Sequence, residues 1–316
     1  MAIDLRVAVL VSAMVILFVA GNTIYLTDGK VYAHDNKIAA LPPLPDQRVF
    51  NELKIFEHWM RPDTSCRDKL NWGELLPEEV CVANSSRPRV LFIGDSHAMA
   101  LYSSIFAGQI DIPSALVASP GCLFYPNLAY KPKSNEWGRN CTQISQKALT
   151  LARNLGSIDT IIVANIRKEN AADKLTQFYS GDTPLTDHDA FMSGTQYLVS
   201  SLLALGKRVI YVVDIPYFPN TPENCQTRFL VTKSDDCVIN KSESDKSFGQ
   251  YFETIKTIKR MFPKLGIFDA EKIICADGKC SQHDASQYFY IDKDHLSVYG
   301  SEKELHELSK QFPLLN

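Results

Sequence analysis

The chain has 316 residues and a formal net charge of −3, and 45% of its residues are hydrophobic while 22% are charged. These proportions are typical of a folded globular protein and exclude an intrinsically disordered chain. The balanced charge, without a basic run, argues against nucleic acid as a partner, and a mean hydropathy of −0.12 excludes a polytopic membrane protein. Two features stand out, an apolar run near the N-terminus and eight cysteines.

The apolar run covers residues 7–26 and contains no charged side chain. As a helix rising about 1.5 Å per residue it would span roughly 30 Å, which matches the hydrocarbon core of a bilayer. A cleaved signal peptide is the alternative, but its apolar region would be shorter and would follow a basic segment. Here residues 1–6 hold one Arg beside Asp4. We therefore predict a single transmembrane helix over residues 1–26, whose flanking charges leave the orientation open.

The eight cysteines all follow the apolar run, and none forms a CxxC motif. Zinc ribbons and thioredoxin-like redox motifs are therefore unsupported. Disulfides in an exported domain are the natural interpretation, with buried free thiols as the alternative. Pairing sequence neighbours would close short loops, which predicts the bonds Cys66–Cys81, Cys122–Cys141, Cys225–Cys237 and Cys275–Cys280. We expect an anchor in the inner membrane and the body of the protein in the periplasm.

Further along, residues 27–86 begin with a polar and Pro-rich stretch and continue with apolar residues and the first cysteine pair. We interpret them as a linker and a small extension that packs on the main domain or on a membrane partner. The main domain is expected over residues 87–316. Apolar runs predict strands at residues 89–94, 114–118, 159–164, 208–213 and 266–269. Helical patterns cover residues 98–106, 139–155, 186–205, 248–261 and 297–312, and a Cys- and Pro-rich loop covers residues 216–246.

This alternation of strands and helices predicts an α/β fold of three layers, a central parallel sheet with helices on both faces. The first strand of the domain runs directly into Gly94-Asp95-Ser96-His97. Ligands of such folds bind at the carboxyl ends of the strands, and a Ser there lies at a helix N-terminus that favours a developing oxyanion. The alternative is that Asp95 or Ser96 merely caps the helix.

A nucleophilic Ser needs a base, and the base needs a group that orients it. Asp292 and His295 lie three positions apart just before the last predicted helix, where the carboxylate can hold one ring nitrogen and leave the other for Ser96. Helix capping by Asp292, with a surface His295, is the alternative.

The two blocks together resemble the SGNH (GDSL-like) hydrolase family, in which Gly-Asp-Ser follows the first strand and Asp-x-x-His precedes the last helix. The family also uses a Gly and an Asn between these blocks as oxyanion-hole donors. Gly121, in Ser-Pro-Gly-Cys after the second strand, matches the Gly block, and Asn165 at the end of the next strand is placed like the Asn block. The resemblance implies the flavodoxin-like SGNH fold.

A finer resemblance is to SGNH domains fused to membrane acyltransferase-3 proteins, which O-acylate surface polysaccharides. It rests on Gly-Asp-Ser-His, on Pro-Gly-Cys, and on Asp-x-x-His-Leu-Ser followed by Gly300. Those domains also follow a last transmembrane helix and a periplasmic extension. The Asn block lacks the usual Gly-x-Asn-Asp form, so Asn170, or no side-chain donor, remains an alternative to Asn165. The other membrane helices are absent, so we expect a membrane acyltransferase-3 domain as partner, fused or in trans.

The resemblance implies covalent acyl transfer in which Ser96 attacks, His295 takes its proton and Asp292 orients His295. The backbone amides of Ser96 and Gly121, with the Asn165 side chain, would hold the oxyanion, and His97 would contact substrate or pack at the helix start. We expect transfer of an acyl group, acetyl above all, to an envelope polysaccharide such as lipopolysaccharide O-antigen. An exported carbohydrate esterase and an inactive glycan-binding module of the same fold are the alternatives.

The sequence contains no P-loop and no HExxH motif. We therefore expect no metal and no bound cofactor. The acetyl group would come ultimately from acetyl-CoA through the membrane domain.

Overall fold

The computed structural model describes residues 65–130, 135–167, 178–222, 237–284 and 286–314, together with positions 14 and 17–19. The strands are β1 (Val80–Ala83), β2 (Val90–Gly94), β3 (Ser114–Ala118), β4 (Ala129–Tyr130), β5 (Thr160–Ala164), β6 (Phe178–Ser180), β7 (Thr183–Pro184), β8 (Arg208–Val213), β9 (Val238–Asn240), β10 (Gly266–Asp269), β11 (Cys275–Ala276) and β12 (Lys279–Ser281). The helices are α1 (Ser65–Leu70), α2 (Ser96–Phe106), α3 (Asn135–Asn154), α4 (Asp187–Ala204), α5 (Lys241–Ser247), α6 (Gly249–Met261), α7 (Glu271–Ile274) and α8 (Val298–Gln311).

A six-stranded sheet in the order β1-β3-β2-β5-β8-β10 forms the centre of the domain. Strands β3, β2, β5, β8 and β10 run parallel, as predicted, and Gly94 at the end of β2 lies level with Ala118 of β3 and Ala164 of β5. The strands are buried on both faces because helices cover both, which explains their continuous apolar sequences. The predicted three-layer α/β architecture is confirmed.

Alternate side chains of each strand enter two separate cores. Leu91 and Ile93 of β2 pack with α3, α4 and α6 on one face of the sheet. Val90 and Phe92 of β2 pack with α2 and α8 on the other. Since α2 begins with Ser96 and α8 follows His295 closely in sequence, the packing of these two helices brings the two predicted motifs to one end of the sheet.

The expected parallel sheet is confirmed for five strands and is wrong at one edge. Strand β1 lies in the predicted extension and pairs antiparallel with β3, so the sheet is mixed. The sequence Val80-Cys-Val-Ala is too short to signal a strand by its pattern, and its burial comes from packing with α1 and β3. The proposed division into residues 1–26, 27–86 and 87–316 stays a prediction, although part of the extension belongs structurally to this sheet.

The predicted loop over residues 216–246 is also partly wrong. Strand β9 lies within it, helix α5 begins in it, and β9 joins β11 and β12 in a small sheet. Pairing with β12 stabilises β9, a strand that the polar sequence around it does not predict.

Three predicted disulfides are confirmed, Cys66–Cys81, Cys122–Cys141 and Cys275–Cys280. The fourth, Cys225–Cys237, includes Cys225, which lies outside the described residues, while Cys237 is itself disulfide-bonded. Closing a 15-residue loop, as Cys66–Cys81 does, stabilises a fold by about 3 kcal/mol.

Most of the predicted transmembrane segment lies outside the described residues, and its described positions, Met14, Leu17, Phe18 and Val19, are helical and exposed. Within the described part of the chain, no helix combines the length and the apolar character that a membrane crossing requires. The membrane anchor stays a prediction.

Candidate active site

The candidate site forms where the carboxyl ends of the central strands meet. Strand β2 ends at Gly94, which has a φ of +151° and lies so close to β5 that a Cβ would come 1.7 Å from the Ala164 carbonyl oxygen. Only glycine fits this position, because any side chain would collide with backbone. The close approach lets the chain turn directly into α2 and leaves Ser96 in its first turn.

Asp95 caps α2 and fixes the neighbouring loop at the same time. It is fully buried, and its carboxylate accepts hydrogen bonds from the backbone N–H of His97 and of Ile166, both at 2.9 Å. Asp95 therefore caps the helix, and whether the motif merely caps it is not decided by this contact. The bond to Ile166 ties the end of β5, where Asn165 lies, to the start of α2.

Ser96, His295 and Asp292 form one hydrogen-bonded chain. Nε2 of His295 lies 2.8 Å from Oγ of Ser96, and Nδ1 of His295 lies 2.8 Å from Oδ2 of Asp292. The other oxygen of Asp292 accepts the backbone N–H of His295 at 2.8 Å and of Asp294 at 3.0 Å. These two backbone bonds hold the carboxylate in place, so the imidazole can present only Nε2 to Ser96.

A second carboxylate also contacts the imidazole of His295. Oδ1 of Asp294 lies 3.2 Å from Nδ1 of His295. Burial alone would lower the pKa of His295, but the hydrogen bonds and charges of Asp292 and Asp294 raise it to about 10. Burial would likewise raise the pKa of Asp292, but the bond to His295 holds it below its usual value. The pair therefore favours an imidazolium, which is the state that follows proton transfer from Ser96.

The two predicted oxyanion residues lie at the neighbouring strand ends. Gly121 follows β3 and has a φ of +72°, and the loop that carries it is tied to α3 by the Cys122–Cys141 disulfide. The start of this loop is also bound to β2, because the N–H of Ser119 donates to the Gly94 carbonyl at 3.2 Å. The oxyanion roles of Ser96, Gly121 and Asn165 stay predictions.

Asn165 is 1% exposed, and neither polar atom of its side chain has a hydrogen-bond partner in the described part of the chain. A buried amide without partners costs free energy, and such groups often serve a ligand. Together with His97, Asp214 and Glu304 it lines a small cavity of about 10 Å³. The alternative donor Asn170 lies outside the described residues.

His97 does not lie open to solvent. Its side chain is 4% exposed, and Nδ1 lies 2.7 Å from Oδ1 of Asp214 at the end of β8. This position favours the prediction that it packs at the helix start over the prediction of a substrate contact. Its ring lies next to that of His295, with the ring centres 4.8 Å apart.

Three buried charged residues next to the site were not predicted from the sequence: Asp214, Arg167 and Glu304. Asp214 and Arg167 follow buried strands, so the rule that sites form at the carboxyl ends of strands could have found them. Glu304 lies inside α8 and is 3% exposed, and no sequence pattern distinguishes it from the surface Glu residues of that helix.

Asp292, Asp294 and His295 place potential ligand atoms within 4.8 Å of one another, a grouping that could hold a metal ion. Both carboxylates contact His295 Nδ1, which fits the ion pair described above. The expectation of a site without metal stays a prediction.

Comparison with known proteins agrees with this geometry. The model of the SGNH domain, described as fused to AT3 domains, matches residues 65–309. The chain belongs to this SGNH domain family. Among curated protein sequences none matches the chain.

Solved structures similar to this SGNH domain include the periplasmic domain of a lipopolysaccharide acetyltransferase from Salmonella ser. Paratyphi A. That domain is 13% identical over 85% of this chain and 98% of its own length, with a TM-score of 0.53. The acetyl xylan esterase AlAXEase is 11% identical over 71% of this chain and 98% of its own, with a TM-score of 0.40. A GDSL-like lipase of Bacteroides thetaiotaomicron is 10% identical over 71% and 88%, with a TM-score of 0.39. At 13% identity and a TM-score of 0.53, the comparison with the Salmonella domain shows a shared fold.

Proposed function

We propose that this SGNH domain is an O-acyltransferase that moves an acetyl group onto an envelope polysaccharide, such as lipopolysaccharide O-antigen, through an acyl-Ser96 intermediate. The observation that carries the proposal is the unbroken hydrogen-bonded chain from Ser96 through His295 to Asp292. Such a chain activates a hydroxyl for attack on an acyl carbonyl.

In the first half of the reaction, Ser96 Oγ forms a bond to the acyl carbon while His295 Nε2 takes the Ser96 proton. The oxyanion that results would be held by the backbone N–H groups of Ser96 and Gly121 and by the Asn165 amide, and one such donor typically contributes about 3–4 kcal/mol. His295 then gives the proton to the leaving group of the donor, which departs and leaves acetyl-Ser96.

In the second half, a sugar hydroxyl loses its proton to His295 and attacks acetyl-Ser96. The ester bond to Ser96 breaks, and His295 returns the proton to Oγ. The acceptor decides the outcome, because a sugar hydroxyl gives transfer whereas water gives hydrolysis by the same steps.

Transfer is favoured by the family description, which names AT3 fusion, and by the acetyltransferase in the comparison. On this proposal a membrane acyltransferase-3 domain, fused or in trans, passes on an acetyl group that comes from acetyl-CoA. Three disulfides support an oxidising compartment. The catalytic domain would then lie in the periplasm, held at the inner membrane by residues 1–26.

The experiment compares Ser96→Ala with Ser86→Ala, a matched change at an exposed loop serine. Each variant replaces the wild-type chain in cells that hold the membrane partner, and mass spectrometry measures polysaccharide acetylation. We expect acetylation to be lost in Ser96→Ala and kept in Ser86→Ala. Normal acetylation with a folded Ser96→Ala protein would contradict the proposal.

A second measurement separates transfer from hydrolysis. The purified full chain is given an activated acetyl ester together with acceptor glycan, and both acetyl-glycan and acetate are measured. Formation of acetyl-glycan supports the transferase. Acetate alone, at the same rate with and without glycan, would identify an esterase. Glycan binding without labelling of Ser96 by a fluorophosphonate would identify an inactive binding module.

A further inference from the structure

A second imidazole–carboxylate pair lies directly behind the candidate site. His97 follows Ser96 in the sequence, and its ring lies against that of His295 with a centre-to-centre distance of 4.8 Å and an interplanar angle of 40°. Its Nδ1 contacts Asp214 at 2.7 Å, and its Nε2 is buried without a hydrogen-bond partner in the described part of the chain. This pair is therefore built into the domain interior and is kept from the solvent.

Asp214 is held as firmly as Asp292. Its Oδ2 accepts the backbone N–H of Arg167 at 2.9 Å, and the Arg167 guanidinium donates to the Asp214 carbonyl. Arg167 also donates to Glu271 at 2.7 Å, and Glu271 in turn accepts from Lys241. Because these contacts fix the carboxylate, the ring of His97 has one orientation, with its face towards His295.

The contacts of Asp214 favour a proton on His97. Burial would raise the pKa of Asp214, but the charge and hydrogen bond of His97 hold it below its usual value. Arg167, the cation next to Asp214, is also paired with Glu271. Because a buried carboxylate without a matching cation is costly, a proton on His97 stabilises the buried pair.

We propose that His97 is a positively charged positioning residue whose ring, fixed by Asp214, repels a proton on His295 and so favours the neutral form of His295 that can accept the proton of Ser96. The proposal rests on the function proposed above. It assigns to the Gly-Asp-Ser-His motif a role for its last residue that differs from substrate contact.

The charged groups that face the two rings determine how readily each ring holds a proton. Asp292 and Asp294 face His295 and stabilise its proton, whereas His97 opposes them. Asp95 and Asp214 face His97, and Glu304 of α8 lines the cavity that both Asp214 and His97 adjoin. Burial alone would lower the pKa of His97, but the charge and hydrogen bond of Asp214 raise it above its usual value. At His295, burial and the neighbouring charge of His97 both oppose the two carboxylates that stabilise its proton.

The test is a titration of the histidine rings by nuclear magnetic resonance in the ¹⁵N-histidine-labelled full chain. We compare wild type, His97→Gln and His306→Gln, where His306 is an exposed residue of α8. We expect the His295 titration midpoint to rise by about one pH unit or more in His97→Gln, because a cation is lost while Asp214 stays charged. His306→Gln should leave it unchanged. A midpoint that stays or falls in folded His97→Gln would overturn the proposal.

A second reading of the same spectra covers the case in which His97→Gln does not fold. In the wild-type protein, both ring nitrogens of His97 should be protonated at about pH 7.5, which is above the usual histidine pKa of about 6.5. A neutral His97 ring there would overturn the proposal. Because no turnover is measured, this outcome is distinguishable from failure of the proposed function, which would appear as absence of an acyl group on Ser96.

Discussion

The domain contains two imidazole–carboxylate pairs that differ in access rather than in chemistry. His295 lies 2.8 Å from Asp292, and His97 lies 2.7 Å from Asp214. In the first pair the side chains are 15% and 39% exposed, and Nε2 of His295 contacts Ser96. In the second they are 4% and 7% exposed, and the free nitrogen is enclosed. Access therefore decides which imidazole can exchange a proton with a substrate and which can act only as a fixed charge.

The two pairs differ in access because of where their residues lie in the chain. His295 belongs to the loop that enters α8, and both members of its pair are close in sequence. His97 lies in the first turn of α2, whose side chains enter the core, and Asp214 ends a buried strand 117 positions away. His295 and Asp292 lie in a loop and can therefore face the solvent. His97 and Asp214 are buried instead, because they lie between a helix and the central sheet.

The largest effect should come from removing the solvent-accessible imidazole, that of His295. We expect His295→Gln to lower the rate of Ser96 acylation by an activated ester by at least about 10⁴-fold, since the proton of Ser96 then has no acceptor. His97→Gln should lose activity mainly at lower pH, because its effect on His295 disappears once His295 is neutral. Equal losses in the two variants at high pH would remove the distinction between the pairs.

The next effect compares the two carboxylates. Asp292→Asn should lower the acylation rate on the order of 10²–10⁴-fold, because the imidazolium loses its main support while Asp294 remains nearby. Asp214→Asn should cost less than about tenfold at high pH, since Asp214 acts through His97. Rates of both variants across a pH series provide the measurement. A loss in Asp214→Asn as large as that in Asp292→Asn would mean that Asp214 supports the reaction directly.

The smallest effect concerns Glu304 beside the buried pair. Burial, and then the charge of Asp214, raises its pKa to about 8. The folded state thus binds a proton that the unfolded state releases above about pH 4.5, so Glu304 lowers stability as pH rises towards 8. Glu304→Gln should therefore lose less stability than wild type over this interval, by on the order of a few kcal/mol. Urea unfolding at the two ends of the interval measures it, and parallel slopes for both proteins would refute it.

Much of the site that contains His295 and Asp292 was predictable from the sequence. Gly94-Asp95-Ser96 and Asp292-x-x-His295 are local patterns, each beside a predicted element, and the parallel sheet brings their elements to one end. The apolar runs that form β3, β8 and β10 also predict those strands with the bounds observed. Neighbouring cysteines likewise identified three disulfides.

The buried pair, His97 and Asp214, and the residues around it could not be predicted from local sequence patterns. His97, Asp214, Arg167 and Glu304 come from four separate elements, and their relation exists only in the packed molecule. Strand β1 and helix α5 were missed for the same reason, since tertiary contacts rather than local pattern stabilise them. Sequence reasoning thus identifies groups that act from loops and strand ends, and it overlooks groups that act from the interior.

The central claim is that Ser96 carries an acyl group during the reaction. The most direct measurement is mass spectrometry of peptides from the full chain quenched in acid shortly after mixing with an activated acetyl ester. We expect one acetyl group on the peptide that contains Ser96, absent in Ser96→Ala and retained in Ser86→Ala. A folded wild-type protein that turns the ester over while Ser96 stays free of acetyl, or that carries acetyl equally in Ser96→Ala, would contradict it.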